Sequence, residues 1–128
     1  VAPAALAAAF VLLTGMMLHH GWNSYHQDIE LTYRGVITAN DIGNPHTYID
    51  LRVQQRNWTD PRAQAYDSIP EWNVVLAPVS RMRSRGMTDN SWLDVGDTVT
   101  VVGYPHRTAG REMRAERIII GDVTIELR

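Results

Sequence analysis

Residues 29–38 read IELTYRGVIT, and the reading of this stretch decides the fold. Ile29, Leu31 and Tyr33 fall on one side of an extended chain and Glu30, Thr32 and Arg34 on the other, the period-two signature of a strand with one buried face. Gly35 interrupts the alternation before Val36, Ile37 and Thr38. A glycine in mid-strand marks a bulge or sharp bend, the device that curls a sheet toward a barrel.

Downstream, residues 40–46 (NDIGNPH) are turn chemistry throughout. Ile49, Leu51 and Val53 then alternate with Asp50, Arg52 and Gln54 in a second strand. Residues 55–70 are polar, carry Pro61 and Pro70, and read as a long connection. EWNVVL, residues 71–76, gives a short third strand. Pro78 opens a helix at its first turn, with Val79 and Met82 inward, Gly86 as the stop, and Arg81, Arg83 and Arg85 outward. Residues 93–97 turn into a fourth strand over 98–104, residues 105–110 reverse it, and 112–120 return. Gly121 and Asp122 lead into Val123, Ile125 and Leu127, a last alternating strand. The succession predicts a mainly β fold: an OB-like small Greek-key β-barrel with one short helix. A plain β-sandwich is the competitor.

Upstream, residues 1–18 (VAPAALAAAFVLLTGMML) carry no charge. As a helix they would extend about 27 Å, close to the ~30 Å hydrocarbon core of a bilayer. The expectation is a single N-terminal transmembrane helix, with a secretory signal peptide as the alternative. The domain plan is then a transmembrane anchor over 1–18, a linker over 19–28 and an extracytoplasmic OB-like β-barrel domain over 29–128. No arginine lies between the apolar run and Arg34, so the positive-inside rule puts the body on the periplasmic side of a single-pass membrane protein. Trp22 and Tyr25, just past the membrane exit, are expected at the headgroup level. Ala4, Ala5, Ala8 and Ala9 place small residues where a neighbouring span can come close.

Composition narrows the chemistry. The net charge is −2, from 12 basic and 14 acidic groups, and the chain holds no cysteine. Every basic residue is arginine, which removes lysine nucleophiles and Schiff bases. Lack of cysteine removes thiol catalysis, thiolate zinc sites and covalent haem attachment. So balanced a charge argues against a nucleic-acid partner. Ser68, Ser80, Ser84 and Ser91 lack a nucleophile elbow, and no carboxylate pair stands out, so no enzymatic activity is expected. His19, His20, His26 and His46 are the candidate ligands for copper or another transition metal, since imidazole needs no thiolate beside it. No cofactor is otherwise required. Trp58 in the long polar connection and the arginines of the short helix are candidate contacts for other membrane-protein subunits or membrane lipid, together with the alanine face.

HHGW at 19–22, RGVITANDIGNPHTYIDLRV at 34–53 and WLDVGDTVTVVGYPHRTAG at 92–110 together resemble a family of small bacterial exported proteins of unknown function. That family has a paired-histidine start after its signal, an Asn-Pro-His turn before the second strand and a Gly-Asp-x-Val-x-Val-x-Gly-x-Pro strand near the end. The resemblance covers residues 19 to about 120 and implies a small extracytoplasmic β-protein without an established activity. The function expected from all of this is a non-catalytic accessory subunit of a larger membrane assembly, with a respiratory or photosynthetic complex as host. The alternative is a periplasmic protein that binds copper or another transition metal through exposed histidines.

Overall fold

The computed structural model describes residues 21–128. Six strands follow in order: β1 (Leu31–Asp41), β2 (Tyr48–Asn57), β3 (Glu71–Val75), β4 (Thr98–Pro105), β5 (Glu112–Ile120) and β6 (Val123–Glu126), with α1 (Val79–Ser84) between β3 and β4. Antiparallel ladders join them in the order β3-β2-β1-β4-β5-β6, and a short parallel ladder, Asn73↔Glu112 to Val75↔Arg114, joins β3 to β5. That last pairing closes five strands into a barrel and leaves β6 outside it, paired with β5 alone. A sandwich would have left two separate sheets; closure removes the barrel's own edges.

The alternation read from the sequence fills the barrel. Leu31, Tyr33 and Ile37 of β1, Ile49 and Leu51 of β2, and Trp72 and Val74 of β3 all point inward and are buried. Two glycines tighten the curl at irregularities in the ladders. The β1–β2 register shifts between Arg34 and Gly35, and a Cβ on Gly35 would lie 2.2 Å from the Arg52 carbonyl oxygen. The β4–β5 register shifts between Val102 and Gly103, where the same construction meets the Arg114 carbonyl oxygen at 2.2 Å. Strand backbones come this close only where no side chain intervenes.

The helix lies where Pro78 and Gly86 bracket it. Met82 is fully buried, Val79 packs against the core, and Gly86 takes φ +124° just past the end. Three expectations are corrected. β1 runs on to Asp41, through what reads as turn chemistry, because Ala39, Asn40 and Asp41 find ladder partners in Asp50, Ile49 and Tyr48. The 55–70 connection is structured: β2 continues to Asn57, and a 3-10 helix follows over Pro61–Tyr66, with Asp60 accepting from the Arg62 backbone N–H at its start. The residues after Gly21 are no free linker either. Trp22–Ser24 form a 3-10 turn, Tyr25 bridges to His106 and is fully buried, and Ile29 joins the core. The Tyr25 ring is therefore unable to lie among lipid headgroups. No helix among the described residues is long and apolar enough to cross a membrane. The expected anchor over 1–18, its alanines at 4, 5, 8 and 9, and His19 and His20 lie outside the described residues.

Candidate functional site

Polar side chains converge on the outer face of β2, β3 and β5, where the segment after Gly21 crosses the barrel wall. Register sets the rows. Tyr48, Val75 and Arg114 stand side by side across the three strands, and Asp50, Asn73 and Glu112 form the next row. The Asn73 amide donates to Asp50 at 3.1 Å. The Tyr25 hydroxyl donates to Glu112 Oε2 at 2.6 Å, a charge-assisted bond in a place mostly closed to water. Burial pushes the Tyr25 phenol far above its ordinary value, and the Glu112 carboxylate adds to the effect as acceptor and as neighbouring charge. Tyr48 is raised for the same reasons, burial first and then the charges of Glu112 and Asp41.

His106 completes the constellation. It follows Pro105 at the end of β4, is 6 % exposed, and meets the Tyr25 ring edge-on at 5.1 Å between centroids. Its Nδ1 accepts from the backbone N–H of Thr108 at 3.1 Å and of Ala109 at 2.9 Å. An Nδ1 that accepts two backbone donors carries no proton, so the neutral ring holds its proton on Nε2. Nε2 faces Glu112 Oε2 at 3.9 Å. The imidazole is thus fixed in orientation by the two backbone donors, with Nε2 turned toward the carboxylate but beyond hydrogen-bond distance. It is poorly placed to bind a metal, which would take Nε2 and leave the ring without a proton to spare.

Arg114 lies beside this group, 9 % exposed, with its guanidinium carbon 4.2 Å from the centre of the Trp22 ring. Arg128 stacks on the same indole at 4.3 Å. Burial holds Arg114 below the usual arginine range, and the positive charges of Arg128 and Arg81 act in the same direction. Trp22 also meets Tyr104 edge-on at 6.3 Å, and the Tyr104 hydroxyl donates to Glu116.

The residues singled out in the sequence are dispersed. His26 bonds through its backbone N–H to the Pro105 carbonyl, and its ring Nδ1 stands 3.3 Å from the Arg107 guanidinium, a cation that competes with any metal there. His46 is half-buried, edge-on to Tyr48 at 6.3 Å. Among the described residues no three histidine, aspartate or glutamate side chains are grouped to hold a metal ion. Trp58 was expected to be an exposed contact; it is instead half-buried against the core, and its indole N–H donates to Asp67 at 3.0 Å. Arg81 reaches the Leu127 carbonyl, Arg85 the carbonyls of Glu126 and Arg128, and Arg83 the Asn90 side chain. Arg81 and Arg85 thus fasten the end of β6 and the chain after it to the helix.

Tyr25, His106, Glu112 and Arg114 escaped the sequence reading. Tyr25 and Glu112 are 87 positions apart, and only the closed barrel brings them together. One local signal was available: His106 and Glu112 flank a short reversal between two alternating strands, and such positions face each other. A search of curated proteins gives no match. A family model does match, over residues 9–114, and the chain belongs to that family, described as a family of unknown function (DUF6152).

Proposed function

We propose that this chain is a non-catalytic, membrane-anchored, extracytoplasmic module with an OB-like barrel, acting as an accessory subunit of a larger membrane assembly. The observation that carries the reading is the seating of residues 22–29 on the barrel wall. Tyr25 is buried and bonded to Glu112, His26 and Arg107 are tied to the opposite backbone, and the Trp22 ring is in contact with two guanidiniums. A chain held to the barrel from Trp22 onward adds no free tether of its own to the body, which suits a module that caps a complex from outside. The chemistry of the constellation supports the non-catalytic part. His106 cannot accept a proton at Nδ1 without displacing two backbone donors, and Glu112 already holds the Tyr25 proton donor. The test is gentle detergent extraction of native membranes followed by sizing. The module is expected to elute with a multi-subunit particle and to be released by Tyr25→Ala. Elution of the unmodified chain as a lone monomer overturns the reading.

A second reading is the binding of copper or another transition metal through histidines, of which His46 is half-buried beside Tyr48. His46 contacts Tyr48, which lies across β3 from Arg114. The ligands of this reading are His19, His20 and His46, whereas His26 has Arg107 beside its ring. Stoichiometric metal in the purified chain, lost in His19→Ala and His46→Ala, would establish it; metal-free protein after copper loading and desalting removes it.

A further inference from the structure

We propose that the outer face of β1, β2 and β4 is a binding tray for a carboxylated carbohydrate, of the uronate type. The tray is a product of register. Thr32 pairs with Asn57, and Arg34 pairs with Gln55 on one side and Thr100 on the other, so their side chains stand in two adjacent rows on the outside of the barrel. Together with Arg56 they line a shallow, open concavity of about 460 Å³. The β1–β2 register shifts at Gly35, immediately beside Arg34 at the edge of the hollow.

The chemistry of the lining selects the ligand. Among the described residues the side chains of Thr32, Arg34, Gln55, Asn57 and Thr100 have no hydrogen-bond or ion-pair partner within the protein. The face of β2, β3 and β5 differs, with Asn73 bonded to Asp50 and Glu112 to Tyr25. Arg56, paired with the inward-pointing Tyr33, turns its guanidinium to the other side of the sheet, where it donates to the Ile69 and Tyr66 carbonyls 5.1 Å from the Tyr33 ring centre, so Arg34 is the guanidinium that faces the tray. Arg34 offers the planar fork that grips a carboxylate with two parallel bonds. Gln55 and Asn57 each present a donor and an acceptor, which suits neighbouring sugar hydroxyls, and the two threonines add hydroxyls that serve either way. Gln55, Arg34 and Thr100 span three strands, about 10 Å, the reach of a disaccharide. A polyphosphate chain fits less well, because the tray offers one open guanidinium and the whole chain is net negative.

The inference rests on the extracytoplasmic reading for where such a glycan would be met, but its test uses purified protein and succeeds or fails separately. Isotope-labelled protein would be titrated with digalacturonate, with neutral digalactose, and with diglutamate as a carboxylate without sugar. Digalacturonate is expected to shift the amide signals of Thr32, Arg34, Gln55, Asn57 and Thr100 and to bind at least tenfold more tightly than either comparison ligand. Arg34→Gln, at an exposed position where folding is checked by an unchanged melting temperature, should bring the acidic and neutral sugars within threefold of each other. Gln55→Ala should weaken both sugars. The proposal is overturned if no signal from the tray moves at about 10 mM ligand, if the shifts cluster elsewhere, or if diglutamate binds as tightly as the uronate.

Discussion

Replacing Gly35 with alanine tests the account of how the barrel closes. The added methyl carbon would stand 2.2 Å from the Arg52 carbonyl oxygen, 2.8 Å from its carbon and 3.0 Å from the Val53 Cα. Ordinary carbon-to-oxygen contact is about 1 Å longer than the first of these, and all three neighbours are backbone. No flexible side chain can yield. Relief requires β1 and β2 to part by about 1 Å beside a strand that β3 holds from its other edge. Overpacking of this kind costs about 1–3 kcal/mol, and one or two ladder bonds stretched past their range add about 1 kcal/mol each. A loss of roughly 3 kcal/mol is expected, against total stabilities of about 5–15 kcal/mol for a domain. Gly110→Ala is the control. No atom lies within 4 Å of its added carbon, so only the unfolded chain is stiffened, a gain of up to about 1 kcal/mol. Urea unfolding followed by fluorescence of the four tryptophans should place the Gly35→Ala midpoint about 1–2 M below the parent, with Gly110→Ala at or above it. Midpoints for Gly35→Ala and Gly110→Ala within about 0.3 M of each other would refute the close-approach argument.

Tyr25→Phe should lower stability by about 1–3 kcal/mol by removing a charge-assisted bond from a sheltered carboxylate. In a double-mutant cycle with Glu112→Gln the two losses should fail to add by more than about 0.5 kcal/mol. Burial pushes Tyr33 up to about 12 against the opposing pull of Arg56, and burial with the Glu116 carboxylate pushes Tyr104 up to about 12. A phenol whose folded value exceeds its unfolded value near 10 stabilises the fold fully below pH 10 and loses that contribution as pH rises to 12. Urea midpoints should therefore fall over pH 10–12, with phenolate absorbance at pH 11 smaller in folded than in unfolded protein. Arg85→Ala frees the carbonyls of Glu126, the last residue of β6, and of Arg128 beyond it, so amide exchange over residues 123–127 should quicken at least tenfold while the global midpoint moves little.

Strand content was legible because alternation reports burial directly: Leu31, Tyr33, Ile49 and Leu51 are apolar for the same reason that they are buried. The mid-strand Gly35 signalled the bend, and the bend is there. Boundaries were less legible, since Ala39, Asn40 and Asp41 obey a ladder partner rather than their own turn preference. Asp60-Pro61 carried an overlooked start signal, an acceptor followed by proline at the first helical position. The constellation around Tyr25 was illegible for a different reason. Nothing local distinguishes a tyrosine that will lie at an interface from one that will be sealed against a strand 87 positions away. Its partner His106 is likewise defined by two backbone donors that only the finished reversal supplies.

The seat of residues 22–29 also governs how the molecule carries load. A tug on the chain ahead of Gly21 would meet the Trp22 stack first, then the lone Tyr25–His106 bridge and the phenol clasp, one after another like the teeth of a zip. Barrel ladders, whose bonds must yield together, would feel the strain only after that strap had peeled away. Under such a pull residues 22–29 would come away first, while the barrel beneath them kept its shape.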